Sequence, residues 1–194
     1  MLHHHDDQHP HDAVPTPVHT PPLVEELDRD VDAVLGRLTS IVGRGVVTVT
    51  AIAGAEPSRV WRALTDRLEL GRWLGSVEGE LRAGTPYRWR LHASGAEADG
   101  RVELCEPSTR LRVRTHDAAG DHVLDVTLRP DPGGSGLTIA QTGLPLDRLA
   151  AFAAGLQVHV EDLLRHLDGE PRADSDARMS ELLPRYEQAP VLHG

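Results

Sequence analysis

The chain has 194 residues and a formal net charge of −10, with 30 acidic residues against 20 cationic ones, all of them arginine. That length fits one domain with a sizeable core plus extensions, and the acidic balance argues against a phosphate-binding surface, so no nucleic acid is expected as a partner. The lone Cys105 excludes an internal disulfide, and residues 1–30 hold no apolar run resembling a signal peptide or membrane span, so a cytoplasmic location without membrane insertion is expected.

In chain order, residues 1–22 are rich in His, Asp and Pro with almost nothing to bury, and read as a disordered tail. His3, His4 and His5 are its candidate metal ligands, but no closed metal site accompanies them and no cofactor signature appears elsewhere. Val24, Leu27, Val31, Val34, Leu38 and Ile41 then recur at spacings of three and four, which predicts an amphipathic helix over residues 23–42. Its apolar stripe is too short for a coiled coil. It is expected to dock on its own domain, with a homodimer or another protein partner as the alternative use.

The main domain is expected over residues 43–169. Ala55-Glu56-Pro57-Ser58, with proline suited to a first turn, opens a helix that carries Val60, Trp61 and Leu64 on one face. Seven strands are predicted: Val46–Ala53, Val77–Leu81, Tyr87–His92, Gly100–Cys105, Arg110–His116, His122–Arg129 and Leu137–Thr142. Short Gly, Pro and Asp turns between them imply an antiparallel meander. A closing helix from Leu146 to Leu167 bears Leu149, Phe152, Ala153, Leu156, Val160, Leu163, Leu164 and Leu167 on one broad face, and Gly169 with Pro171 stops it. In the extension, residues 170–194, Met179, Leu182, Leu183 and Tyr186 suggest a short amphipathic helix beginning after Asp174 or Ser175.

Alternation assigns the strand faces. Tyr87, Trp89 and Leu91 share one face, as do Val102 with Leu104, Leu111 with Val113, Leu124 with Val126 and Leu128, and Leu137 with Ile139. These should face the closing helix. Arg88, Arg90, Arg101, Glu103, Arg110, Arg112, Arg114 and Asp125 fall on the opposite, solvated side as cross-strand charge pairs. A bulge in any strand would exchange the two faces and bring Arg88, Glu103 or His116 inward.

Val60-Trp61-Arg62-Ala63-Leu64-Thr65-Asp66, Trp73-Leu74, Gly79-Glu80-Leu81-Arg82-Ala83-Gly84, Gly100-Arg101-Val102, Cys105-Glu106-Pro107 and the closing Asp168-Gly169 resemble the SRPBCC or START-like superfamily. Within it they are similar to homologues of the activator of heat-shock-protein-90 ATPase, over about Leu23 to Gly169. The resemblance implies an α+β helix-grip fold, in which a curved antiparallel sheet of six or seven strands wraps a long C-terminal helix and encloses an apolar cavity. An extra N-terminal helix accompanies it. Where relatives often carry Gly-Trp in the closing helix this chain has Gly155-Leu156, a change expected to enlarge the cavity.

The fold alone does not decide the activity, because many functions share it. The residues expected to bind a ligand are Trp61, Trp73, Tyr87, Trp89, Gln141, Phe152, Leu156 and His159. They make a mostly apolar pocket with few hydrogen-bonding groups, suited to a small apolar organic ligand. No catalytic pair of titratable groups is expected there; His159 is the single candidate for a general base. Ligand binding without catalysis is therefore the expected function. The alternatives are a cyclase- or hydrolase-like enzyme using the same cavity, and a co-chaperone-like protein-interaction module.

Overall fold

A computed structural model describes residues 36–194. The tail at residues 1–22, with His3, His4 and His5, and the part of the expected helix bearing Val24, Leu27, Val31 and Val34 lie outside the described residues. Within them the elements are β1 (Gly36–Ile41), β2 (Arg44–Ala53), α1 (Pro57–Thr65), α2 (Arg67–Trp73), β3 (Gly75–Gly79), β4 (Pro86–Leu91), β5 (Glu97–Glu106), β6 (Arg110–Asp117), β7 (Gly120–Asp131) and β8 (Gly134–Leu144). A 3-10 turn (Leu146–Arg148), α3 (Leu149–Leu167), α4 (Ser175–Gln188) and β9 (Val191–His193) complete the chain.

All seven expected strands form, as β2 to β8. They belong to a nine-stranded sheet of order β3-β4-β5-β6-β7-β8-β2-β1-β9. Strands β3 to β8 are an antiparallel meander, with β2 and β1 added beyond β8. Only β9 pairs in parallel, with β1.

The expected N-terminal helix is corrected from Gly36 onward. Leu38 and Ile41 lie in β1, which pairs with β2 from Gly36 opposite Val49 to Ile41 opposite Arg44. The two strands meet at Val42-Gly43, both at positive φ, 48° and 72°. Pairing with β2 satisfies backbone groups that a helix would have left facing an open sheet edge, and Leu38, only 2% exposed, enters the core. Leu38 is therefore unavailable to a partner, while Ile41 remains exposed.

Helix α1 begins with Pro57 at its first turn and buries Val60, Ala63 and Leu64; Asp66 then caps α2, accepting hydrogen bonds from the Leu68 and Glu69 amides. Helix α3 lies across the sheet with its apolar face inward and ends in a Schellman motif. The Glu170 amide donates to Arg165 O at 2.8 Å and the Gly169 amide to His166 O at 3.2 Å. Beyond it α4, capped by Asp174, packs against α3. Arg178 grips Glu161 of α3 with two 2.9 Å hydrogen bonds, and Leu182 and Tyr186 are buried. The extension thus straps α3 down and delivers β9 to the sheet edge.

The inner and outer faces follow the alternation with one exception. Glu103 forms a bulge, after which Leu104 pairs with Arg112 and Cys105 with Leu111. Leu104 therefore leaves the inner face and Cys105 takes its place, its thiol donating to Leu81 O at 3.2 Å. The charged residues stay outside: Glu103 meets Arg112 at 3.2 Å and Arg114 at 2.7 Å, Arg110 binds Asp125 with two hydrogen bonds, Arg88 meets Asp99, and His116 meets Asp121.

Candidate functional site

Between the concave sheet face and α3 lies a cavity of about 480 Å³, within the range of small-molecule sites. The sheet supplies Val77, Tyr87, Trp89, Leu111, Val113, Leu124, Val126, Ile139 and Gln141. Helix α3 supplies Phe152, Gly155, Leu156, His159 and Leu163, α2 closes one side with Leu70 and Trp73, and Met179 of α4 reaches the wall. The turns β4–β5 (Ala93, Ser94, Ala96) and β6–β7 (Asp117 to Ala119), with Arg148 at the start of α3, form a more polar rim. Those turns lie at one edge of the sheet because β4 and β6 run in the same direction.

Seven of the eight residues expected at the ligand site line this cavity: Trp73, Tyr87, Trp89, Gln141, Phe152, Leu156 and His159. Trp61 does not. It sits half-buried on α1, whose buried face is Val60, Ala63 and Leu64, and it packs against the core from outside the cavity. The Gly155-Leu156 pair does line the cavity, so the position where an indole was expected in relatives carries a smaller side chain facing open volume.

The aromatic residues turn their polar tips into the protein. Trp73 donates Nε1–H to Ala63 O at 3.0 Å, and the Tyr87 hydroxyl shares a 2.7 Å hydrogen bond with Thr115 Oγ1. A row of cross-strand partners, Tyr87, Gly100, Thr115 and His122, makes this possible. A Cβ at Gly100 would collide with the Tyr87 ring, so glycine there lets the phenol lie flat against the sheet and reach Thr115. Trp89 packs edge-on to Tyr87 with ring centroids 5.9 Å apart. Ring surface is what remains for the cavity.

The sequence reading passed over His122. The same alternation that turns Leu124, Val126 and Leu128 inward includes His122 two residues earlier, so the signal was present. It is 4% exposed, with Nε2 3.9 Å from Asp117 Oδ2, beyond hydrogen-bond reach. Burial lowers its pKa, opposed by the charge of Asp117. Its ring meets Phe152 edge-on at 6.1 Å, and the Arg148 guanidinium stands 5.4 Å over the same phenyl ring.

His159 lies on α3 with Nδ1 shut off from solvent and without a hydrogen-bond partner. Burial, then the positive charge of Arg172 with His92 nearby, pushes its pKa down to about 4, so the imidazole is neutral at physiological pH. Among the described residues no three His, Cys, Asp or Glu side chains are grouped to hold a metal ion, and no helix is long and apolar enough to cross a membrane.

This geometry agrees with what comparison with known proteins finds. The family model for activator of Hsp90 ATPase homolog 1-like proteins matches residues 54–168. The chain belongs to that family. The AHSA1-like match runs from just before α1 to the end of α3, and so takes in every strand of the meander and the helix that closes the cavity. Solved structures share the fold. The crystal structure of CalU16 from Micromonospora echinospora aligns with a TM-score of 0.65 at 21% identity, over 78% of this chain and 93% of that one. DynU16, a protein of the dynemicin biosynthetic locus, aligns with a TM-score of 0.61 at 28% identity, over 66% of this chain and 50% of its own. MLL2253 from Mesorhizobium loti aligns with a TM-score of 0.59 at 25% identity, over 64% of this chain and 97% of its own. No sequence among the curated proteins matches.

Proposed function

We propose that this AHSA1-like protein binds a small, largely apolar organic molecule in the cavity between the sheet and α3, and that it acts by holding that molecule rather than by transforming it. The observation that carries this reading is the orientation of the lining aromatics. Trp73 and Tyr87 spend their hydrogen-bonding groups on Ala63 O and Thr115, leaving ring surface toward a volume of about 480 Å³. Such a surface rewards apolar contact and discriminates by shape, with Gln141, His122 and His159 as the few groups that orient a ligand. The similarity to DynU16, from the dynemicin biosynthetic locus, is compatible with a natural product of that general size as the ligand class.

A second reading is favoured by one feature. His122 and Asp117 stand 3.9 Å apart on the cavity wall, and a modest movement would make them an acid–base pair for an enzyme of cyclase or hydrolase type. The binding reading is preferred because Asp117 Oδ1 already accepts the Ala119 amide and lies at the rim rather than over the cavity floor.

The test is titration with the neutral fluorophore N-phenyl-1-naphthylamine. Wild-type protein is expected to enhance its emission saturably, and Leu156→Trp, which fills the cavity with an indole, is expected to abolish the enhancement. No saturable signal from the wild type, or one untouched by Leu156→Trp, contradicts the proposal.

A further inference from the structure

Behind the α3 wall of the cavity, three buried polar atoms lack a hydrogen-bond partner: His159 Nδ1, Asp162 Oδ2 and Arg172 Nη1. They belong to one neighbourhood, since the charge of Arg172 acts on both His159 and Asp162. His159 and Asp162 stand one turn apart on α3, and Asp162 Oδ1 accepts the Ala173 amide at 3.1 Å, which brings the segment carrying Arg172 alongside. Each such buried, unpaired group is costly, so its arrangement constrains what the neighbouring groups do.

The arrangement selects the tautomer of His159. A neutral imidazole carries one N–H, and its two nitrogens take opposite roles. Placing that hydrogen on Nδ1 would leave a buried N–H with no acceptor bonded to it, under the positive charge of Arg172. Placing it on Nε2 leaves Nδ1 with a lone pair, the form that the positive charge of Arg172 favours. Nε2 is also the nitrogen that is not shut off, and His159 lines the cavity. We infer that His159 presents Nε2–H as a hydrogen-bond donor to the cavity, and that the ligand carries a carbonyl or equivalent acceptor oxygen on an otherwise apolar body.

This inference rests on the cavity-binding reading and sharpens it. It also assigns His159 a role opposite to that of a general base, because the nitrogen facing the ligand holds a proton instead of a lone pair. Phe152, Leu156 and Leu163 on the same helix offer no side-chain polar atom, so on the α3 wall it is His159 that meets the acceptor.

Two measurements test it. Long-range proton–nitrogen correlation spectra of the uniformly labelled wild-type protein report the His159 tautomer directly, and Nε2–H is the expected form. Titrations with 1-tetralone and tetralin, which differ by one carbonyl, are then compared between wild type, His159→Phe and His159→Gln. The ratio of tetralone to tetralin affinity is expected to fall about fivefold to tenfold in His159→Phe, as for loss of one hydrogen bond, and to survive in His159→Gln, which keeps a side-chain N–H. An Nδ1–H tautomer, or an unchanged ratio in His159→Phe with both compounds binding, overturns the inference alone. Failure of both compounds to bind wild-type protein overturns the cavity reading beneath it.

Discussion

Tyr186 of α4 donates its phenolic hydrogen to Gln157 Oε1 of α3 at 2.6 Å, and the Tyr186 hydroxyl oxygen in turn accepts the amide of Gly36, the first residue of β1, at 2.9 Å. One side chain therefore joins the strap, the closing helix and the outer part of the sheet, with the ring 1% exposed. Burial pushes its pKa up to about 12, so the donor hydrogen stays in place across the physiological range. Tyr186→Phe keeps the packing, deprives the partly buried Gly36 amide of its acceptor and removes the donor to Gln157. It is expected to cost about 1–3 kcal/mol, read as a lower urea midpoint with unchanged slope.

Gly100 is where strand β5 gives way to an aromatic ring. An added Cβ would meet the Arg114 carbonyl and the Tyr87 ring at once, and a backbone atom cannot yield cheaply. Gly100→Ala is expected to destabilise by about 1–3 kcal/mol and to break the Tyr87–Thr115 hydrogen bond. Thermal unfolding gives the first effect. The second is checked by whether a Tyr87→Phe background makes the two costs less than additive.

The β1–β2 turn carries a fault that can be repaired. Val42 holds φ at 48° and is 95% exposed, so a β-branched residue occupies a left-handed conformation with no packing in return. Asparagine favours that position before glycine in a tight hairpin. Val42→Asn is expected to raise stability by about 1 kcal/mol, measured by chemical denaturation.

His159, with Nδ1 shut off from solvent, gives stability a pH dependence of known sign. The folded-state pKa of His159, about 4, lies below the 6.5 of an ordinary histidine. The unfolded chain therefore takes up the proton first as pH falls, and stability present above about 6.5 is lost on the way down to about 4. The contribution is on the order of 3 kcal/mol. His122, lowered chiefly by burial, acts in the same direction. Because the charge of Arg172 is one of the depressing causes, Arg172→Gln is expected to raise the His159 pKa, which an NMR titration of its ring protons measures.

Much of this fold could be read before any coordinates. Strict alternation such as Tyr87, Trp89, Leu91 and the long period of α3 are signals that tertiary structure had no reason to override. Leu38 and Ile41 show the opposite. Their helical spacing was real, but Thr39, Ser40, Ile41 and Val42 ahead of Gly43 are also hairpin material, and pairing with β2 decided between the two. The Leu104–Cys105 exchange depends on one unpaired residue, Glu103, which leaves no mark in an alternating pattern because both neighbours are apolar. Of the site, residues on regular strands and on α3 were legible. Trp61 falls outside the cavity because an indole at the edge of the apolar face of α1 fits either a cavity or its flank. The unpaired trio at His159, Asp162 and Arg172 was out of reach, since Arg172 lies in an irregular segment whose path no periodicity records.

The central claim, that the cavity holds an apolar ligand, is tested most directly by native mass spectrometry of the full chain purified without detergent from its own type of host. The account predicts added mass that leaves on denaturation, with Leu156→Trp protein carrying none. Wild-type protein that stays empty after exposure to a broad set of apolar metabolites would contradict it.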